Sequence, residues 1–257
     1  MIILPLKFNK FQINYQTMKK LFATLTGLIL MSVLFFAQGQ DLDKILKNHF
    51  DAVGQDKLVK LKTLSFSGKV IQGGMELPFN MYTSRPLKFR MDITVQGQKI
   101  VQAFDGENGW YINPMMGTMD PQDMSPDQIK DMKKQADMDG DFYEYEKKGS
   151  KLELVGTEDF EGTEVYKLKL TDKEDDITYY FMDSETFVII KTTSKRMIQG
   201  TEVESESLLS NYQMIDGIAF PFSISSGANG QTMVEIEMDN VEFDEKLEDV
   251  FFAKPQN

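Results

Sequence analysis

From Thr63 to Phe243 apolar side chains recur at every second position, and that alternation restricts the chain to a fold of half-buried β-strands. It runs through Leu64-x-Phe66, Met75-x-Leu77-x-Phe79-x-Met81 and Leu87-x-Phe89-x-Met91-x-Ile93-x-Val95. It resumes at Tyr143 and Tyr145, Leu152 and Leu154, Tyr166 with Leu168 and Leu170, Tyr179 to Met182, and Phe187 to Ile190. It closes with Leu208 to Met214, Ile218 to Ile224, and Val234-x-Ile236-x-Met238 followed by Val241 and Phe243. Gly73-Gly74, Gln96-Gly97, Asp105-Gly106, Glu161-Gly162, Asp216-Gly217 and Asn229-Gly230 separate the runs at hairpin spacing. Roughly eleven or twelve strands are expected. No long helix alternates with them, which argues against a parallel α/β fold.

Two segments depart from period two. From Asp41 to Val53, Leu42, Ile45, Leu46, Phe50 and Val53 fall on one helical face, with Gly54 as its stop and a short turn through Leu58 and Leu61 leading into the sheet. Residues 113 to 140 hold Asn113-Pro114, Pro121, Pro126 and six methionines. Ser125 before Pro126 and Gln128 is the signature of a capped helix start, and Ile129, Met132 and Ala136 give that helix a thin apolar stripe. This insert is expected to be an ordered lid containing Met115, Met116, Met119, Ile129 and Met132.

An antiparallel sheet of this length has one large apolar face, and the chain offers only two helices to cover it. A sandwich would fill the space with its own second sheet, whereas an incomplete barrel capped by the helices leaves room for a ligand. Each CH₂ enclosed there is worth roughly 0.8 kcal/mol, so an acyl chain is a ligand such a cavity suits.

The compartment is set by the first forty residues. Met18-Lys19-Lys20, the apolar stretch Leu21 to Phe36 and Ala37-Gln38-Gly39 form a complete export signal, with Met18 the expected initiator and residues 1 to 39 set apart from the fold. An exported chain without cysteine has no disulfide framework and no site for N-terminal lipidation, so residues 40 to 257 are expected to form one soluble domain around a core. The leader contains four lysines and no acid, so its removal takes the net charge from −12 to −16. Such a surface repels phosphate backbones and anionic head groups, which excludes nucleic acid as a partner.

Signals for catalysis are sparse. There is one histidine, His49, on the apolar side of the first helix, and no Cys nucleophile, Gly-x-Ser-x-Gly, His-based metal motif or phosphate-binding glycine loop. The chain is therefore read as a non-enzyme without cofactor or metal. Asp137-Met138-Asp139-Gly140-Asp141 has the look of a calcium loop, but Phe142 stands at its sixth position and Lys148 at its twelfth, and it is read as a solvated acidic turn. The insert's methionines suit adaptable packing on acyl chains, plain core packing, or a thioether copper site. Phe89, Met91, Phe104, Trp110 and Tyr111 suggest, as a group, the lining of a cavity.

Ser84-Arg85-Pro86-Leu87-Lys88-Phe89-Arg90, then Phe104-Asp105-Gly106-Glu107-Asn108-Gly109-Trp110-Tyr111-Ile112-Asn113-Pro114, then Val250-Phe251-Phe252-Ala253-Lys254-Pro255 resemble the outer-membrane lipoprotein carrier family of Gram-negative periplasms, the LolA type. That resemblance implies a mainly β fold, a curved antiparallel half-barrel, or unclosed β-barrel, with an N-terminal helix and an inserted lid helix over an apolar concave face. It implies a monomeric periplasmic carrier that shelters the acyl chains of lipoproteins or a related lipid. Its partners would be an inner-membrane extraction complex and an outer-membrane acceptor. Arg85 stands where the family's arginine holds the lid closed and governs release, a task suited to a guanidinium with several donors in a fixed fork. The competing reading is a lipid-binding or envelope-sensing β module that transports nothing.

Overall fold

The structure, a computed structural model, describes residues 41–198, 201–228 and 231–255. The export signal and the Asn229-Gly230 turn lie outside the described residues. The chain divides into two compact units, residues 1–44 and 45–257. The described residues of the first, 41–44, are helical, as are residues 45–53 of the second, and this stretch is designated α1. The remaining helices, the sheet and all contacts given below belong to the second.

Helix α1 follows the sequence pattern, with Ile45, Leu46 and His49 buried. Gly54 (φ 72°) ends it and opens the single turn α2, Gln55–Leu58. A Cβ on Gly54 would stand 2.1 Å from the carbonyl oxygen of Gly217, so glycine is demanded there by both the left-handed backbone and the close approach.

Thirteen antiparallel strands form one open sheet. In chain order they are β1 (Thr63–Gln72), β2 (Met75–Ser84), β3 (Lys88–Val95), β4 (Gln98–Phe104), β5 (Gly109–Asn113), β6 (Thr118–Asp123), β7 (Lys151–Phe160), β8 (Thr163–Thr171), β9 (Ile177–Asp183), β10 (Ile189–Ile198), β11 (Thr201–Ile215), β12 (Ile218–Ala228) and β13 (Gln231–Phe243). The spatial order is β6-β5-β4-β3-β2-β1-β13-β12-β11-β10-β9-β8-β7. The chain steps outward from β1 to one edge at β6 and passes through α3 (Pro126–Ala136) to the other edge at β7. It then steps back until β13 pairs with β1. Edges β6 and β7 do not pair, which makes the fold the unclosed half-barrel expected. At Gln96-Gly97 and Asp216-Gly217 both residues have positive φ, the two-residue hairpin geometry that suits the twist of the strands they join.

Register puts one residue set on a single inner face. Leu64, Phe66 and Val70 of β1 align with Phe243, Val241 and Ile236 of β13, and Phe66 aligns with Met81 of β2, which aligns with Met91 of β3. Phe89 is opposite Phe104, and Gln102 opposite Tyr111. The resulting core joins Leu64, Phe66, Val70, Phe79, Phe220 and Val241, with Leu58, Leu61 and Met138 packed over it.

Three strands depart from the sequence expectation. In β4, Val101, Ala103 and Phe104 are all buried, because the outer face is covered too, and two-sided burial erases the alternation. Strand β5 is short and β6 carries Pro121, which an edge strand accommodates. Tyr143 and Tyr145 lie in turns rather than in a strand. The closing segment quoted for the resemblance forms a 3₁₀ turn, Asp249–Phe251, lying on the outer face. There the Phe251 ring meets Tyr82 at 4.9 Å and the Arg90 guanidinium at 4.5 Å, and Trp110 Nε1 donates to the Phe252 carbonyl at 2.9 Å.

Candidate functional site

Helix α3 forms where the sequence places it. Ser125 Oγ accepts from the Gln128 amide, Gln128 Oε1 accepts from the Ser125 amide, and Pro126 occupies the first turn, so the orphan donors of that turn are met locally. One side of α3 then lies on the inner face. Met132 and Ala136 are buried against Phe89 and Phe104, with Ile129, Met124, Met91 and Tyr111 around them. Phe89 and Phe104 have no exposed surface at all.

The other side of α3 carries polar ties to the opposite half of the sheet. Lys130 donates to Asp176 and Lys134 to Asp172, each at 2.7 Å, in the turn between β8 and β9. Burial pushes the Asp172 carboxyl up, but bonds from Lys134 and from the amides of Asp176 and Glu174 outweigh it and hold the group below its usual range. Thus α3 spans the gap between edges, apolar on the β3–β5 side and charged on the β8–β9 side.

Arg85, between β2 and β3, fixes the segment that follows α3. Its Nη1 and Nη2 donate to the two carboxylate oxygens of Asp139 at 2.8 and 2.5 Å. Its Nε and Nη2 also donate to the carbonyls of Leu61 and Leu58 at 2.7 and 3.2 Å, beside the end of α2. One guanidinium therefore joins the strand connection, the α2 turn and the segment after α3, with the two side chains only 28% and 19% exposed. The Asp139 bond, foremost, raises the already high pKa of Arg85 and keeps the charge in place.

Asp139 escaped the sequence reading, which made its turn a solvated one. The structure corrects that: Lys148 holds Asp137, Arg85 holds Asp139 and the Tyr180 hydroxyl holds Asp141, so the carboxylates fasten the turn at three separate points. Burial, then the Asp141 charge, drives the Tyr180 pKa well above its usual value and keeps the hydroxyl a donor. The missing signal was spacing, since nothing local links an acid at 139 to an arginine at 85. His49 is structural as expected: it is buried edge-on to Phe142, its Nδ1 lies 2.7 Å from the Phe187 carbonyl, and burial lowers its pKa despite that bond.

Two cavities flank these ties. One of about 140 Å³ lies beside the Arg85–Asp139 pair, between His49, Leu58, Met138, Phe142 and Tyr180. The other, about 390 Å³, opens between α3 and β4–β5, above Met124 and Met132. Among the described residues no three His, Cys, Asp or Glu side chains gather as a metal-holding group.

The candidate residues are thus partly brought together. Phe89, Met91, Phe104 and Tyr111 share the inner face with Ile129 and Met132 of α3. Trp110 does not join them: it pairs with Ala103, one residue out of phase with Phe104, and lies on the outer face with Val101 and Ile112. Met115, Met116 and Met119 do not belong to the lid helix; they are 47%, 78% and 66% exposed, the first two in the turn between β5 and β6 and Met119 in β6, and of the three Met116 lines the larger cavity.

No family model and no curated protein matches the chain in sequence. Solved structures match in fold. A DUF1329 family protein from Desulfovibrio piger superposes with a TM-score of 0.57 at 16% identity, covering 81% of this chain and 97% of its own. A LolA superfamily protein from Nitrosomonas europaea does so with 0.56 at 14% identity, covering 82% and 97%. A domain assigned to outer-membrane lipoprotein sorting, from Vibrio parahaemolyticus, gives 0.56 at 12% identity, covering 82% and 97%. The chain has the LolA-type fold.

Proposed function

We propose that the chain is a periplasmic carrier that shelters the acyl chains of lipoproteins, or of a related lipid, and moves them toward the outer membrane. The observation that carries this reading is the contrast between what α3 covers and what holds it there. Beneath it lies the continuous apolar face of Phe89, Met91, Phe104 and Tyr111; its ties are ion pairs at the periphery. An acyl chain of sixteen carbons entering that face gains on the order of 10 kcal/mol, enough to displace one short helix and several partly solvated ion pairs. The face is closed in the structure, so entry requires α3 and the turn after it to lift, with Arg85 as the latch.

The mechanism is conformational. Closure competes with cargo, so the strength of the latch sets how readily cargo is given up. Removing the latch weakens closure, tightens apparent binding and leaves cargo retained. The LolA-type fold and the export signal read from the sequence support the reading.

Native mass spectrometry of residues 40 to 257 purified from the periplasm, followed by lipid extraction, tests it. Lipid or acylated peptide at near one-to-one stoichiometry is expected; protein that stays empty and ignores added lipid would overturn acyl binding. Transfer to acceptor membranes then separates carrier from passive binder, since Arg85→Leu should bind yet fail to deliver.

A further inference from the structure

Apart from Val155 and Val250, every large apolar side chain left exposed among the described residues is a methionine. Met75, Met214 and Met233 stand singly on β2, β11 and β13, as scattered surface residues do. Met115, Met116 and Met119 are different, because they fall together within residues 115–119. Three uses were open to them: packing on acyl chains, packing in the core, or holding a soft metal ion. Their exposure excludes the core. Their place off α3, with Met115 and Met119 lining neither of the two cavities, gives acyl packing no shared surface.

The backbone gathers these residues at one place. Pro114–Met116 is a 3₁₀ turn in which the Gly117 amide donates to the Pro114 carbonyl at 3.0 Å, and Gly117 (φ 77°) redirects the chain through a left-handed conformation into β6. Met115 and Met116 are thus neighbours in the turn. Across the hairpin Asn113 pairs with Thr118 and Tyr111 with Gln122, so Met119, Asp120 and Pro121 stand opposite Ile112 alone. This bulge frees Met119 from the alternation of the edge strand, and bulges at sheet edges serve to re-aim a side chain. Residues 110–129 contain no lysine, arginine or histidine to repel a cation, while the exposed Asp120 adjoins Met119.

We propose that Met115, Met116 and Met119 form a site for a soft monovalent metal ion, Cu(I) or Ag(I), held by three thioether sulfurs. The chain has no cysteine, so thioether sulfur is its one soft donor. A thioether is neutral and carries no proton to lose, so the ion binds without proton release and Asp120 offsets its charge. Calcium, magnesium and zinc select oxygen, imidazole or thiolate ligands, and Asp120 alone does not supply a set of them. All three methionines belong to the β5–β6 turn and none to α3, so the site stays whole whether α3 is closed or lifted. Its exposure leaves the ion open to capture by a stronger soft ligand, which suits receiving and passing on the ion rather than stabilising the fold. This activity is independent of acyl carriage.

The experiment titrates the full mature chain with Ag(I), a redox-stable probe for the Cu(I) site, in chloride-free buffer, read by calorimetry and by NMR of isotope-labelled methionine methyl groups. One equivalent is expected to bind, with the methyl signals of Met115, Met116 and Met119 shifting and those of the buried Met124 and Met132 unmoved. Anaerobic competition with bicinchoninate should show the same stoichiometry for Cu(I). Met115→Leu, Met116→Leu and Met119→Leu together keep side-chain volume at exposed positions, so the melting temperature should hold while affinity falls about a hundredfold or more. Met75→Leu, Met214→Leu and Met233→Leu together should leave affinity within about twofold. Failure to bind one equivalent, equal affinity in the first triple variant, an equal loss in the second, or shifts centred on other methionines or on His49 would each overturn the site.

Discussion

Arg85 and Asp139 permit the sharpest test of a closed lid held by a latch. Replacing Arg85 with leucine deletes four hydrogen bonds, two to Asp139 and two to the carbonyls of Leu61 and Leu58. Exposed ion pairs contribute about 0–1 kcal/mol, whereas breaking a fully buried one costs about 3–5 kcal/mol. With the two side chains 28% and 19% exposed, this pair falls between, at about 2–3 kcal/mol. If that free energy holds the lid rather than the whole fold, local opening rises about 30- to 150-fold. Hydrogen exchange read by mass spectrometry should show it as faster exchange over 126–140, with the β1–β13 seam unchanged. Asp139→Leu should give the same pattern, and the double variant should be less than additive by about 1 kcal/mol or more. Uniformly faster exchange would mean that the pair stabilises the domain as a whole, and no change over 126–140 would mean that it holds nothing; either result refutes the latch.

Other perturbations separate the remaining contacts. Lys130→Ala with Lys134→Ala should loosen α3 by about 1 kcal/mol in low salt and by much less at high ionic strength, measurable as salt-dependent exchange of that helix. Because burial depresses the His49 pKa from 6.5, the unfolded chain binds the extra proton first, so stability falls as pH drops from 6.5 toward the folded value. The limiting slope is about 1.4 kcal/mol per pH unit, and His49→Phe should remove this contribution from urea melts compared at pH 7 and 5. Truncation after residue 248 removes Phe252 and the acceptor for Trp110 Nε1; emission from this sole tryptophan should move to longer wavelength, with loss of about 3 kcal/mol or more.

The period-two runs were enough to foresee a series of antiparallel strands, because inner positions such as Phe79 alternate with exposed Pro78 and Asn80, whereas the open edge was what the resemblance implied. They failed where both faces are covered. Val101 and Ala103 are buried on the outer side while Phe104 is buried on the inner, and no alternation survives. The same outer cover explains Trp110, whose aromatic character suggested lining but whose phase, next to Tyr111, puts it on the far side. Helix α3 was legible down to its cap, since Ser125, Pro126 and Gln128 are neighbours in sequence. Arg85 stood out through resemblance and its residue type. Its partner did not, because the pairing with Asp139 is made by tertiary packing across 54 residues.

The strand order has a consequence for how this molecule comes into being. Its central seam joins the first strand to the last, Leu64 to Phe243, a loop of about 180 residues. Each hairpin arm can form locally as the chain emerges, yet Phe66, Phe220 and Val241 meet only after β13 exists. A chain stopped even one strand short therefore leaves β1 and β12 as two unpaired apolar edges at the middle of the sheet, the arrangement most prone to aggregate. Synthesis of β13 is thus the step that lets the two arms join into one sheet.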